Sequence, residues 1–65
     1  MTLNFKVGTM PARKYHVCLL HKPPIVGQVF EVVDKASHGS RPFRVRCSEI
    51  RAHTGSGDIY FVEQW

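Results

Sequence analysis

Cysteine and histidine residues are the first candidates for chemistry, because their spacing resembles that of zinc ligands. Cys18 and His21 are separated by two residues, with His16 close by, and Cys47 and His53 follow later in the chain. Structural zinc favours four nitrogen or sulfur ligands, usually from two closely spaced pairs. The second pair is widely spaced, and both cysteines fall at alternating positions that are typical of a strand interior. We therefore predict no metal site and no cofactor.

Serine and histidine side chains that could support nucleophilic catalysis occur at Ser37 with His38 and at His53 with Ser56. None lies in a recognisable nucleophile elbow, and no acidic residue follows at a spacing that would orient a histidine. The Gly-x-Gly sequence at 55–57 precedes a predicted strand, so it lacks the helix N-terminus that allows such loops to bind phosphate. The pattern predicts a hairpin turn there and a protein that is not an enzyme.

A set of basic residues could bind nucleic acid. Arg44 and Arg46 project from one face of a predicted strand, about 6.7 Å apart, a spacing that could reach neighbouring phosphates. Tyr15 or Tyr60 could offer a stacking surface, whereas nearby glutamates dilute the positive field. A solvated, solubilising strand face and a DNA or RNA surface are the two alternatives for this set, which comprises Lys14, Arg41, Arg44, Arg46 and Arg51.

Protein binding at the rim of the domain is the leading functional prediction. Pro23 and Pro24 form a stiff loop next to a predicted strand, and such loops often border binding sites. Trp65 ends the sequence and either packs over the end of the domain or anchors a partner. With Tyr60, these residues form the predicted protein-binding set. A homo-oligomer is a further alternative.

Five strands must position these side chains. They are predicted at 3–7, 14–20, 26–34, 42–50 and 58–64, separated by glycine or proline signals. Leu19 is expected to share an inner face with Tyr15 and Val17. The third strand is apolar on both sides, which suits a strand covered on both faces or one that bends at the centre of a barrel. The short turn at 35–40 leaves no room for the helix that OB folds usually carry. The sequence thus predicts one all-β domain, 1–65, a small five-stranded antiparallel barrel, and it favours an SH3-like over an OB-like barrel.

Composition limits the class of protein. The 65 residues include nine Lys or Arg, five Asp or Glu and two cysteines, giving a formal net charge of +4. Two cysteines are few for a secreted domain of this size, and neither a signal peptide nor an apolar run long enough for a membrane span is expected. We expect a cytoplasmic protein from a phage, plasmid or accessory bacterial locus, with no membrane partner.

One local resemblance adds a third function. Gly27-Gln28-Val29, the loop at 53–56 and Ile59-Tyr60 with Val62 are similar to segments of the plasmid-borne type II dihydrofolate reductases. That family consists of SH3-like barrels that form a tetramer around a central pore. The resemblance covers about the C-terminal half of the chain and implies an oligomeric enzyme. The chain departs from the family at Asp58, where the pore strand of the family has Gln.

Overall fold

The computed structural model describes residues 1–35, 41–53, 55 and 57–65. The prediction of a turn at 35–40 therefore falls almost wholly outside the described residues. Apolar and polar side chains alternate along five strands, which is the pattern of elements with one buried face. The strands are β1 (Thr2–Val7), β2 (Arg13–Cys18), β3 (Val29–Asp34), β4 (Phe43–His53) and β5 (Gly57–Gln64).

The strands form a closed ring in chain order. Each of the four consecutive pairs, from β1 with β2 to β4 with β5, is antiparallel, which confirms the predicted all-β, antiparallel class. The ring closes where β1 runs parallel to β5, with Phe5 beside Tyr60. This follows from the odd number of strands, since the first and last strands of a five-stranded meander point the same way. Within the described residues, no helix is long and apolar enough to cross a membrane.

The core lies inside the ring and is centred on Phe5, which is fully buried. Its ring centre lies 6.0 Å from that of Tyr15, 5.8 Å from that of Phe30 and 5.4 Å from that of Tyr60. Such edge-on and tilted arrangements are favourable for aromatic pairs. The predicted inner faces are largely confirmed, and the buried set is Phe5, Tyr15, Val17, Phe30, Val32, Val45, Cys47, Tyr60 and Val62.

The predicted strand limits on either side of the β2–β3 connection are wrong. The second strand ends at Cys18 and not at residue 20, because Leu19 adopts a left-handed backbone conformation with φ of 61°. The third strand begins at Val29 and not at residue 26, because residues 25–28 form a turn with Gly27 at φ of 92°. One of the two predicted alternatives for β3, cover on both faces, is also wrong, since Val29 on its outer side is exposed.

The hairpin of β4 and β5 is longer than predicted. Pairing continues to His53 opposite Gly57, so most of the predicted loop at 51–57 is strand. A bulge between Cys47 and Glu49 shifts the register. Cys47 is buried, and three residues later Ile50 also packs against the core. The bulge thus keeps the far half of β4 attached to the same interior.

Candidate binding surface

The outer face of β3, β4 and β5 carries two short rows of side chains across the three strands. In one row Glu31 of β3 pairs with Arg44 of β4, and the backbone N–H of Trp65 donates to the Arg44 carbonyl at 2.8 Å. In the other row Val29 pairs with Arg46, which in turn pairs with Glu63. Each row therefore places two charged side chains next to one apolar side chain.

Arg46 is held by two neighbours at once. Its guanidinium lies 3.4 Å from the Glu63 carboxylate and 5.9 Å from the centre of the Trp65 ring. The aromatic face attracts the cation, while the carboxylate fixes its direction. Trp65 is nevertheless 65% exposed, so most of the indole is available for contact. The indole therefore packs against Arg46 yet stays mostly exposed, and neither predicted alternative for Trp65, packing over the end of the domain or anchoring a partner, is confirmed.

Arg44 and Glu31 differ from their neighbours. They face each other across β3 and β4, yet among the described residues the side chain of neither forms a hydrogen bond or an ion pair. By contrast, Arg13 pairs with Asp34 at 3.2 Å. The outer face thus carries one unpaired positive and one unpaired negative group side by side.

Leu19 borders a groove on the same face. Its left-handed backbone turns the chain out of β2, so Leu19 is 93% exposed while Leu20 packs against the core. The groove has a volume of about 410 Å³, and its lining includes Leu19, Leu20, Val29, Phe30, Glu31 and Arg44. We refer to Leu19, Val29, Arg44, Arg46 and Trp65, with this groove, as the apolar patch.

The turn at 25–28 lies beside the patch. The N–H of Gln28 donates to the carbonyl of Ile25 at 3.1 Å, and the N–H of Gly27 donates to the carbonyl of Cys47 at 2.8 Å. Both Ile25 and Val26 are exposed. Since Val29 follows directly, the turn extends the apolar surface along the chain.

The predicted protein-binding set is only partly at the surface. Pro23 is exposed, but Pro24 is fully buried and anchors the loop, so its ring offers no contact to a partner. Tyr60 is also buried, because its strand places it beside Phe5 in the core. Burial, and then the nearby Asp58 and Cys47, raise the pKa of Tyr60. Of the four residues, only Pro23 and Trp65 present their side chains to solvent.

The predicted nucleic-acid set is dispersed. Arg51 is paired with Glu49 and lies 5.0 Å from the centre of the Phe61 ring, and the Glu49 carboxylate raises its pKa. Lys14 is exposed on β2, where it borders a separate groove with Asp58. Arg41 is exposed ahead of β4. Only Arg44 and Arg46 lie close together, and Arg46 is already neutralised by Glu63.

The two cysteines have different environments. Cys47 is buried, and burial raises the pKa of its thiol, whereas Cys18 is half-buried at the end of β2; both are free thiols. No group of three or more His, Cys, Asp or Glu side chains in the described part of the chain could hold a metal ion. Cys18 instead lines the groove of the apolar patch.

Leu19 and Val29 are the surface residues of the apolar patch that sequence reasoning missed. Alternation placed Leu19 inside the domain, although the two prolines and Gly27 that follow did signal a break in the strand pattern. No protein-family model, curated protein sequence or solved structure matches this chain.

Proposed function

We propose that this chain is a small non-enzymatic protein-binding module that contacts its partner through the apolar patch. The observation that carries the proposal is the state of Leu19, a large apolar residue that has φ of 61° and is 93% exposed. The left-handed conformation costs a residue other than glycine about 1–2 kcal/mol. The isolated domain recovers almost none of this cost, because so little of the side chain is buried. Burial against a partner would contribute about 1.5–3 kcal/mol.

The other residues of the patch support the same function. Interface centres are enriched in tryptophan and arginine, and their most important side chains insert into desolvated pockets. Here Trp65, stacked with Arg46, lies beside a groove with apolar walls, and Arg44 and Glu31 supply polar groups on that groove. Most of the exposed large apolar residues described here lie between Leu19 and Val29 or at Trp65.

Leu19→Ser tests the proposal directly. Because the side chain is exposed, the variant should fold normally yet lose the partner. The wild-type chain, Leu19→Ser and Met10→Ser are immobilised and exposed to extract from the source cell. Met10 is an exposed apolar residue that borders a different groove, with Val7 and Arg13, so its variant is the matched control.

A captured protein is accepted as a partner only after it has been purified and titrated directly against the chain. The proposal expects wild type and Met10→Ser to bind it alike and Leu19→Ser to bind at least about tenfold more weakly, the equivalent of 1.4 kcal/mol. Equal binding by all three chains would contradict a role for the patch.

Single-stranded nucleic acid is the second candidate partner. Phe61 lies on the outer side of β5, with Lys6 5.7 Å from its ring centre. Trp65 directly follows β5, and its ring contacts Arg46. Aromatic platforms flanked by cations are typical of surfaces on which bases stack. If the chain binds single-stranded nucleic acid here, its affinity for mixed-sequence DNA or RNA should fall steeply between about 50 and 200 mM salt. Replacing Arg44 and Arg46 with Ala should abolish it, and no binding at low salt would exclude it.

An oligomeric, SH3-like reductase is the third candidate, and it rests on the resemblance alone. The segment concerned, Asp58 to Tyr60, borders a groove of about 300 Å³ together with Lys14. A dihydrofolate reduction assay and a measurement of mass in solution test it together. A strict monomer without activity would exclude a site shared around a central pore.

A further inference from the structure

We infer that the occupant of the apolar patch is a second copy of this chain, related to the first by a two-fold axis. This inference rests on the proposed protein-binding function of the patch. In the arrangement inferred, Arg44 of each copy meets Glu31 of the other. The exposed side chains of Leu19, Val29 and Trp65 are buried between the two copies.

The unpaired charges carry the inference. Arg13, Arg46 and Arg51 each have a carboxylate within ion-pair distance, whereas among the described residues neither Arg44 nor Glu31 has such a partner. The two lie directly opposite each other on neighbouring strands and both line the groove. A two-fold interface joins each residue i to residue j of the partner and j to i. One such contact therefore pairs both charges on both copies.

Other occupants fit this pattern less well. An acidic segment would satisfy Arg44 but would place like charges against Glu31, and a basic segment would do the reverse. Like-charge contacts in an interface cost several kcal/mol. A second copy brings both signs, in the order that a two-fold axis requires, together with the same exposed apolar residues.

The size of the domain agrees with self-association. The core of this 65-residue chain is a single cluster inside one ring of strands. Domains below about 70–80 residues often gain stability by oligomerisation, because one small core supplies little net free energy. Covering Leu19, Val29 and Trp65 extends the apolar contacts of that core across the interface.

The decisive experiment reverses one charge in each of two separate variants and then mixes the two variants. Sedimentation equilibrium gives the mass of wild type, R44E, E31R and an equimolar mixture of the two variants. We expect a dimer for wild type. Each variant alone presents like charges at both cross-chain contacts, so its dimerisation should weaken by about a hundredfold or more. The mixture should regain the dimer, because an R44E chain and an E31R chain complement each other at both contacts.

The mixture shows whether Arg44 and Glu31 pair between two copies or only within one chain. If Arg44 and Glu31 only attract each other across β3 and β4, mixing two altered chains restores nothing, and that result overturns the inference. R41E is the control for an equal change of charge outside the patch, and it should stay dimeric. Circular dichroism checks the fold of each variant. Should R44E or E31R fail to fold, Leu19→Ser takes its place, and it should be monomeric.

Failure of this inference is distinguishable from failure of the proposed function. A wild-type chain that stays monomeric up to its solubility limit overturns the second copy as occupant. If wild type then binds a different purified protein and Leu19→Ser does not, the patch is a binding surface for that protein. If wild type is monomeric and Leu19→Ser binds every partner as tightly as wild type does, both proposals are wrong.

Discussion

The guanidinium of Arg46 lies 5.9 Å from the ring centre of Trp65, while Trp65 itself donates its backbone N–H to Arg44. The last residue of the chain is therefore fixed to β4 through both its side chain and its backbone. An exposed aromatic ring held in this way loses little conformational freedom on binding, and low entropic cost favours contact residues of this kind. This relationship makes Trp65 the natural reporter of events at the patch.

Trp65 fluorescence should follow occupation of the patch. It is the single tryptophan of the chain and is 65% exposed, so the free domain should show the emission of a hydrated indole. When the chain associates, the emission should move to shorter wavelength, because the ring leaves water. Spectra across a concentration series measure this. Leu19→Ser should keep the hydrated spectrum throughout, and an equal shift in that variant would place the association elsewhere.

Leu19→Gly should separate stability from binding. Glycine adopts positive φ readily, so the variant should raise the free energy of unfolding of the monomer by about 0.5–1 kcal/mol. It also removes the exposed side chain, so association should weaken. Urea denaturation at low protein concentration and sedimentation measure the two effects.

The opposite change provides the control for this backbone argument. Gly27→Ala puts a Cβ at φ of 92° and should lower stability by about 1 kcal/mol or more. A Leu19→Gly variant that is less stable than wild type, with Gly27→Ala behaving as expected, would show that Leu19 stabilises the fold.

Phe5 should be the most sensitive position of the core. It is fully buried and contacts three other aromatic rings. Phe5→Ala should cost about 3–5 kcal/mol, which equals the whole net stability expected of so small a domain, so this variant should be unfolded. Phe5→Leu should fold with a loss of about 1–2 kcal/mol, measured by urea denaturation. A fully folded Phe5→Ala would contradict the aromatic core.

Stability should fall at alkaline pH. Burial raises the pKa of the Cys47 thiol above its ordinary value of 9.0, and burial also raises the pKa of Tyr60. Above the unfolded pKa the unfolded chain releases these protons first, so it binds fewer protons than the folded chain. The stabilisation is complete below about pH 9 and is lost as pH rises through the folded pKa.

Urea denaturation between neutral and alkaline pH measures this loss. Cys47→Ala should lower stability at neutral pH and flatten the decline that begins near the ordinary thiol value of 9.0. An unchanged slope in this variant would show that the thiol does not contribute.

Several features of the fold follow from local patterns. Alternation along β1 and β4 predicts that Phe5, Val45 and Cys47 are inside, and the structure confirms this because only one face of each strand meets the core. The same alternation predicts that Arg44 and Arg46 lie on the outer face of β4. Alternation fails at Leu19, where one left-handed residue reverses the inner and outer sides for the rest of the segment.

The binding surface depended on contacts between distant segments. Arg46 is not a free cation, because Glu63 and Trp65 contact it. Both residues reach Arg46 only because β5 pairs with β4. Pro24 and Tyr60 have the composition of binding residues, yet loop packing and strand register bury them. No pattern in the separate segments distinguishes a paired arginine from an unpaired one.

The sequence by itself determined the number and class of the elements, since strand periodicity and turn residues are local properties. It also determined which side chains could be buried along most of each strand. Only the tertiary structure decided that β1 closes the ring against β5 and that Leu19 is exposed beside Val29. It also decided that Arg44 and Glu31 face each other with no ion-pair partner among the residues that the structure describes. Those outcomes depend on register and on a single backbone angle, which arise when segments far apart in the chain pack together.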